Sequence, residues 1–154
     1  MLRMSKLTDY GTMVLAQLAA SQPGWTTAGQ VAAATHLAQP TVSKLLKELQ
    51  HAGLVRSVRG ARGGYQLARP AASINAAEII DAVEGPMALT ECAGGAGNCG
   101  IEATCLVGHG WQRISRAFRR ALLDVSLEEL VRRDSVFTAP NLLQPPPARA
   151  PARS

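Results

Sequence analysis

The apolar positions near the start of the chain recur every three or four residues, which is the spacing of an amphipathic helix. The helix-breaking pair at residues 23–24 ends this first helix. A second, shorter helix begins at a capping box formed by Thr27 and Gln30. A third begins at Pro40, because proline fits the first helical turn, and it ends before Gly53. Its apolar stripe has the spacing i, i+3, i+4, i+7 and consists of Val42, Leu45, Leu46 and Leu49.

Two short strand-like runs follow, at residues 54–58 and 65–68. Between them lies the sequence R-G-A-R-G-G, residues 59–64. Glycine tolerates the positive φ angles of tight turns, so this segment predicts a β-hairpin with a basic tip. A further capping box, Asn75 with Glu78, predicts a fourth helix that ends at a Gly-Pro pair.

Apolar residues return at nearly heptad spacing beyond residue 110, with arginines at many of the other positions. A helical stripe that contains both tryptophan and phenylalanine predicts a large partner surface, and we favour pairing with a second copy over packing within the chain. A capping box of Ser126 with Glu129 predicts a short last helix. The predicted dimer interface consists of Trp111, Ile114, Phe118 and Leu122.

Together these elements predict a mainly α-helical fold with a small β-hairpin: a winged helix-turn-helix head and a long C-terminal dimerisation helix. The predicted domains are a DNA-binding head at 1–84, a cysteine loop at 85–110, the dimerisation helix and short final helix at 111–134, and a disordered Pro/Ala-rich tail at 135–154. No apolar run approaches the ~18 residues of a membrane span. The polar N-terminus does not resemble a signal peptide, so we expect a cytoplasmic protein without membrane contact.

The charge of the chain is concentrated in the head. The formal net charge is +5, but residues 1–70 alone carry eight Lys and Arg against Asp9 and Glu48, a net +6. A basic winged helix-turn-helix predicts a double-stranded DNA partner, with helix hydroxyls at base edges, lysines at phosphates and wing arginines in the minor groove. The predicted DNA contacts are Thr41, Ser43, Lys44 and Lys47 in the third helix and Arg56, Arg59, Arg62, Gly63, Gly64 and Tyr65 in the wing.

The three cysteines of the chain, Cys92, Cys99 and Cys105, lie in one glycine-rich segment. Their neighbours are mostly small or polar, which argues against buried core thiols, and a disulfide would leave one thiol over. Clustered cysteines in a reducing compartment are typical of metal or redox chemistry. Three thiolates suit an iron–sulfur cluster or a soft metal and require a fourth ligand from elsewhere. The spacing leaves the cluster type open, and a redox thiol switch is the alternative.

These motifs together resemble the Rrf2 family of bacterial winged-helix regulators over roughly residues 1–134. The resemblance rests on S-K-L-T-D-Y at the start, P-T-V-S-K-L-L-K in the third helix, R-G-A-R-G-G-Y in the wing, and the three-cysteine segment. The sequences A-L-T-E-C and W-Q-R-I-S-R-A are similar to the subgroup that regulates the SUF iron–sulfur assembly operon. The resemblance implies a homodimeric repressor in which an iron–sulfur cluster is bound by the three cysteines and controls operator binding. We favour a two-iron cluster and keep a four-iron cluster as the alternative.

The same resemblance implies two candidates for the fourth cluster ligand. IscR-like members use a histidine shortly after the third cysteine, and His109 stands one position later than in those members. NsrR-like members use an aspartate of the first helix that is donated by the other subunit, and Asp9 stands at the matching place. We favour Asp9, because it would join the sensor of one chain to the DNA-binding head of the other.

The sequence thus predicts a cluster-sensing transcriptional repressor in which cluster loss lowers operator affinity. An enzyme is not expected, because the chain has no nucleophile with a neighbouring base and no phosphate-binding loop. One alternative is a nitric-oxide or thiol-redox stress sensor of the same fold. The other is an iron–sulfur electron carrier or scaffold, against which the wing and the basic head argue.

Overall fold

The computed structural model describes residues 4–87, 89–90 and 106–132. Within these ranges the chain is mainly helical and has one antiparallel two-stranded hairpin, which confirms the predicted fold class. None of the described helices is long and apolar enough to cross a membrane. The three cysteines and the Pro/Ala-rich segment at 135–154 lie outside the described residues. In chain order the elements are α1 (Lys6–Ala20), α2 (Ala28–Thr35), α3 (Gln39–His51), β1 (Val55–Val58), β2 (Gly64–Leu67), a 3-10 turn (Ala71–Ser73), α4 (Ala76–Glu84), α5 (Gly108–Leu123) and α6 (Leu127–Val131).

Capping boxes set the starts of α2, α4 and α6, as predicted. At α2 the Gln30 amide donates to Thr27 Oγ1 over 3.2 Å, and the Thr27 amide donates to Gln30 Oε1 over 2.8 Å. The same reciprocal pair forms between Asn75 and Glu78 at α4. These contacts satisfy backbone amides that have no partner within the helix. Each box spans four residues, so the local sequence suffices to place these helix starts.

The start of α1, in contrast, depends on a contact with a residue far along the chain. Ser5 is the N-cap of α1, but its side chain makes no capping hydrogen bond. Instead Glu84, the last residue of α4, accepts from the Ser5 amide over 2.9 Å and from the Thr8 hydroxyl. Helix α5 begins at Gly108, earlier than the predicted start at Trp111, because the Trp111 amide already donates to the Val107 carbonyl.

The core of the head lies between α1, α3 and the hairpin. The predicted apolar stripe of α3 is confirmed, since its four residues are 0% exposed. Val14 and Leu18 of α1 are also buried in this core. Burial of this stripe fixes the rotation of α3 and turns Lys44 and Lys47 toward solvent.

The final helix, α6, packs on the head. Leu127 is fully buried in the same core as α1 and α3. Its amide donates to the Ile74 carbonyl over 2.7 Å, and the Ala76 amide donates to the Val125 carbonyl over 2.9 Å. The segment that follows α5 is therefore anchored beside the start of α4.

Candidate nucleic-acid interface

The α2–α3 pair has the geometry of a helix-turn-helix. His36 ends α2 in the left-handed region, with φ of 57°, and redirects the chain within a short turn. Thr41 and Ser43 are half-buried near the start of α3, and Lys44 and Lys47 are exposed farther along it. Lys44 Nζ lies 3.8 Å from Oε1 of the half-buried Glu48, one helical turn away. The structure therefore brings the four predicted contacts of α3 to the side of the helix away from the core stripe.

The wing is a tight hairpin whose tip requires glycine. Strands β1 and β2 pair in register from Val55–Leu67 to Val58–Gly64. The Gly63 amide donates to the Gly60 carbonyl over 3.0 Å and closes the tip. A Cβ atom at Gly63 would lie only 2.1 Å from the Val58 carbonyl oxygen, so a side chain does not fit there. The exposed arginines of the tip, at positions 59 and 62, have no polar partner among the described residues.

The last two predicted wing contacts, Gly64 and Tyr65, lie where the hairpin meets the turn before α2. The Tyr65 amide donates to the Thr26 carbonyl over 2.8 Å, and the Thr26 amide donates back over 3.0 Å. A Cβ atom at Gly64 would approach the Thr26 carbonyl oxygen to 2.8 Å, so glycine permits this pairing. The Tyr65 ring is half-buried against the core. Thr26, which was not identified from the sequence, thus forms a one-residue antiparallel bridge on the edge of β2 opposite β1.

Arg56 differs from the tip arginines because its guanidinium has partners. Its Nη2 donates to Gln66 Oε1 over 2.7 Å, and its Cζ lies 5.4 Å from the centroid of the Trp25 ring. Gln66 Nε2 donates in turn to the Pro23 carbonyl over 2.5 Å. Neither Trp25 nor Gln66 was identified from the sequence, because the contacts join segments distant along the chain.

Helix α5 is tied to α4 by a bidentate ion pair. Arg119 donates to the two oxygens of Asp81 over 3.1 and 2.6 Å, and the Met87 amide donates to Asp81 Oδ1 over 3.3 Å. The hydrogen bond from Arg119 lowers the pKa of the Asp81 carboxyl, and the Met87 amide adds to this effect against the opposing effect of burial. Asp81 therefore holds both α5 and the chain that leads from α4 toward the cysteines. The sequence analysis gave neither Asp81 nor Arg119 a role.

The predicted dimer stripe of α5 is largely exposed in the single chain. Trp111 is 43% exposed and Ile114 is 51% exposed, whereas Phe118 and Leu122 are half-buried. Ile114 also borders an open groove of about 660 Å³. The remaining groove residues are Gly110, Arg113, Arg116, Ala117 and Arg120. The exposed aromatic and aliphatic surface is the kind that a second helix covers.

Both candidates for the fourth cluster ligand are exposed. Asp9 lies in the first turn of α1, and His109 lies in the first turn of α5. The contacts of Glu84 with Ser5 and Thr8 place the start of α1 against the end of α4. These contacts, led by the one from Thr8, lower the pKa of the Glu84 carboxyl. Asp9 follows Thr8 directly, so it lies at the end of the head from which the chain continues to the cysteines.

Comparison with known proteins gives a consistent set of relatives. The family model described as Rrf2, iron-dependent transcriptional regulator, matches residues 4–133. A putative HTH-type transcriptional regulator of Neisseria meningitidis is 40% identical over 90 residues, which is 58% of this chain and 60% of that protein. The chain thus matches less than two thirds of that relative's length.

Two further relatives match over most of their length. The HTH-type transcriptional regulator IscR of Cereibacter sphaeroides is 30% identical over 138 residues, covering 86% of this chain and 89% of that protein. The solved structure of CymR, the global cysteine regulator of B. subtilis, matches with a TM-score of 0.65 and 32% identity. That match covers 85% of this chain and 97% of CymR.

Proposed function

The chain belongs to the Rrf2 family of DNA-binding transcriptional regulators, and we propose that it is a homodimeric repressor that senses an iron–sulfur cluster. The observation that carries this proposal is the placement of all three cysteines in the segment that joins the winged head to α5. The description of the family as iron-dependent and the similarity to IscR support an iron cofactor. The motifs A-L-T-E-C and W-Q-R-I-S-R-A support an iron–sulfur assembly operon of the SUF type as the target.

For the DNA interface we propose a division between base reading and backbone binding. Thr41 and Ser43 are short hydroxyl residues at the start of α3, where a recognition helix meets base edges in the major groove. Lys44 and Lys47 are exposed farther along α3 and suit phosphates. The exposed arginines of the wing tip, which have no partner in the described part of the chain, suit an adjacent minor groove.

We propose that Cys92, Cys99 and Cys105 hold the cluster and that Asp9 of a second copy completes it. Three soft thiolates and one carboxylate form a donor set that suits an iron–sulfur cluster. When bound, the cluster supplies a redox-sensitive link between its ligands. The exposed Asp9 carboxylate lies on α1, which packs on α3 and α4, so a ligand at this position would connect directly to the DNA-binding head.

Single replacements of the cysteines test the cluster site. We expect anaerobically purified protein to be coloured, and Cys92→Ala, Cys99→Ala and Cys105→Ala each to lose the colour, because three thiolates leave no spare ligand. The described core of the head is built from its own helices and hairpin, so we expect each variant to remain folded. The measurements are the absorption spectrum, iron and sulfide per chain, and circular dichroism. A variant that keeps the full iron content would remove its cysteine from the ligand set.

The similarity to CymR favours a second candidate function, a repressor that responds to thiol oxidation without iron. The two functions differ in what the iron-free chain does. If the thiols themselves are the sensor, oxidation of the iron-free protein should change DNA affinity, and a thiol reductant should reverse the change. If the cluster is the sensor, only loading and removal of iron should change it.

A further inference from the structure

We propose that Arg56 positions the wing: its guanidinium holds the hairpin against the turn before α2, through Trp25 and Gln66, and does not contact a DNA phosphate. This role differs from the direct DNA contact that the sequence suggested for Arg56. The inference rests on DNA binding by the winged head and is independent of the iron–sulfur cluster.

The first step is the face of the hairpin on which Arg56 lies. Arg56 is paired directly with Gln66 in the antiparallel register. The neighbouring pair, Val55 with Leu67, is 2% exposed and faces the core, so alternation along the strands directs Arg56 and Gln66 away from the core. Gln66 is nevertheless only 7% exposed. Its burial means that the hairpin is covered on this face as well.

The turn before α2 provides this cover and uses both ends of the Gln66 amide. Gln66 Nε2 donates to the Pro23 carbonyl over 2.5 Å, and Gln66 Oε1 accepts from Arg56 Nη2 over 2.7 Å. Loss of the arginine would leave Oε1 without its donor at a nearly buried position, which is unfavourable. Arg56 therefore completes a chain of hydrogen bonds that links β1 to the α1–α2 turn across β2.

The second contact of Arg56 is with the aromatic ring of the same turn. The guanidinium carbon lies 5.4 Å from the centroid of Trp25, which is 36% exposed. A planar guanidinium can stack on a ring and donate sideways at the same time, whereas a lysine ammonium cannot do both with one geometry. Both contacts are made at the root of the hairpin, away from its exposed tip.

These contacts decide the position of the wing because the turn is continuous with the helix-turn-helix. Trp25 is followed by Thr26, which pairs with Tyr65 of β2, and by Thr27, which caps α2. The backbone pair fixes β2 to the turn, and the Arg56 contacts fix β1 to it. With both strands held, the angle between the hairpin and α3 is set before DNA is bound, which reduces the ordering cost of binding.

The test compares Arg56 with a tip arginine on DNA of defined sequence. The probe is a labelled duplex recovered from a random-sequence pool by the unmodified full-length protein, with a scrambled duplex as reference. Anisotropy titrations at several salt concentrations give the affinity and its salt slope. Arg56→Met should weaken binding to the selected duplex about tenfold, because a buried amide loses its partner and the wing is no longer preset. Its salt slope should stay that of the unmodified protein, whereas Arg62→Met should reduce the slope by roughly 0.9, because one fewer positive charge displaces counterions from the DNA.

Arg56→Lys tests whether the wing depends on the shape of the arginine side chain or only on its positive charge. The lysine keeps the charge but not the planar fork, so it should bind as weakly as Arg56→Met. If Arg56→Lys binds as tightly as the unmodified protein and Arg56→Met reduces the salt slope as much as Arg62→Met does, Arg56 is a phosphate contact and the proposal is wrong. Unchanged affinity for Arg56→Met would also overturn it.

A double-variant cycle with Trp25 adds a readout that does not depend on charge at position 56. Trp25→Leu removes the ring contact but leaves the hydrogen bond to Gln66, so it should cost less affinity than Arg56→Met. The double variant should bind about as weakly as Arg56→Met alone, because Arg56→Met already removes the ring contact. Circular dichroism and the melting temperature of each variant show that the head is folded. Fully additive losses would mean that the two residues act separately and would contradict the proposal.

Discussion

At the scale of the residue, the tip of the wing depends on one glycine. The sequence shows three glycines between residues 59 and 65 but does not show which of them is indispensable. In the structure a Cβ at Gly63 would meet the Val58 carbonyl oxygen at 2.1 Å, whereas a Cβ at Gly60 would meet nothing within 4 Å, although its φ of 119° still disfavours a side chain. The steric limit arises from the strand opposite, so it cannot be read from local composition.

We therefore expect Gly63→Ala to displace the tip and weaken DNA binding by about tenfold, since the tip arginines would leave their position. The melting temperature should change little, because the tip is exposed and contributes no core contact. Ala61→Ser, on the same exposed tip, is the matched control and should bind like the unmodified protein. DNA affinity and thermal melting of both variants check this. Normal affinity for Gly63→Ala would show that the exact position of the tip is unimportant.

At the scale of the element, the ion pair of Arg119 with Asp81 fastens α5 to α4. Asp81 has a lowered pKa in the folded chain, so its contribution to stability is present above the unfolded-state pKa of about 3.9 and is lost as the pH falls through the lower folded value. Arg119→Met should reduce the free energy of unfolding by ~0.5–1 kcal/mol at neutral pH, the range for a partly exposed bidentate pair. The difference between variant and parent should diminish as the pH falls through the folded-state pKa of Asp81, because the carboxyl then becomes protonated in both proteins.

Urea denaturation of the two proteins across this pH range measures the effect. Arg116→Met is a suitable control, because Arg116 lies on the same helix and has no ion pair among the described residues. It should leave the midpoint unchanged at every pH. A cost of Arg119→Met that persists at low pH would assign the loss to packing of the arginine stem.

The helices and strands also show which parts of the fold the sequence predicts. Helices whose start is a capping box, such as α2 and α4, were predicted correctly because the donor and acceptor lie in one turn. The predicted core stripe of α3 was also correct, since burial follows directly from a helical period. The acceptor at the start of α1 is Glu84, far along the chain, and no local signal indicates it. The contact between Arg56 and Trp25 was missed for the same reason.

The residues of the candidate DNA interface were likewise predicted only in part from the sequence. The basic tip and the exposed lysines of α3 were identified from composition and period, and the structure places them on the surface of the winged head. Their roles on DNA stay predictions. Gly64 and Tyr65 were grouped with them by adjacency in the sequence, but in the structure they pair with β1 and lie against Thr26 on the opposite edge of β2. Contacts between segments that are far apart in the chain depend on tertiary packing, and no local sequence pattern predicts them.

At the scale of the whole molecule, the open question is how the cysteine segment communicates with the DNA-binding head. Two routes are built into the described chain. Glu84 joins the end of α4 to the start of α1, and Asp81 joins α4 to α5. A cluster ligand on α1 would use the first route and act on the head directly, whereas a ligand at the start of α5 would act through the second.

The two candidate ligands therefore predict different behaviour. Asp9→Asn keeps the size of the side chain and removes the charge, so a cluster that needs this carboxylate should be lost faster in air, and operator affinity should no longer depend on cluster content. His109→Ala should leave both properties close to those of the unmodified protein. Asp9 is also an acid in the first turn of α1, so its removal can cost ~0.3–1 kcal/mol of stability without any cluster. Melting of the iron-free proteins measures that contribution separately, and cluster lifetime and DNA affinity are then compared at equal fractions folded. If His109→Ala shortens the cluster lifetime and Asp9→Asn does not, the ligand lies on α5 and the signal reaches the head through Asp81.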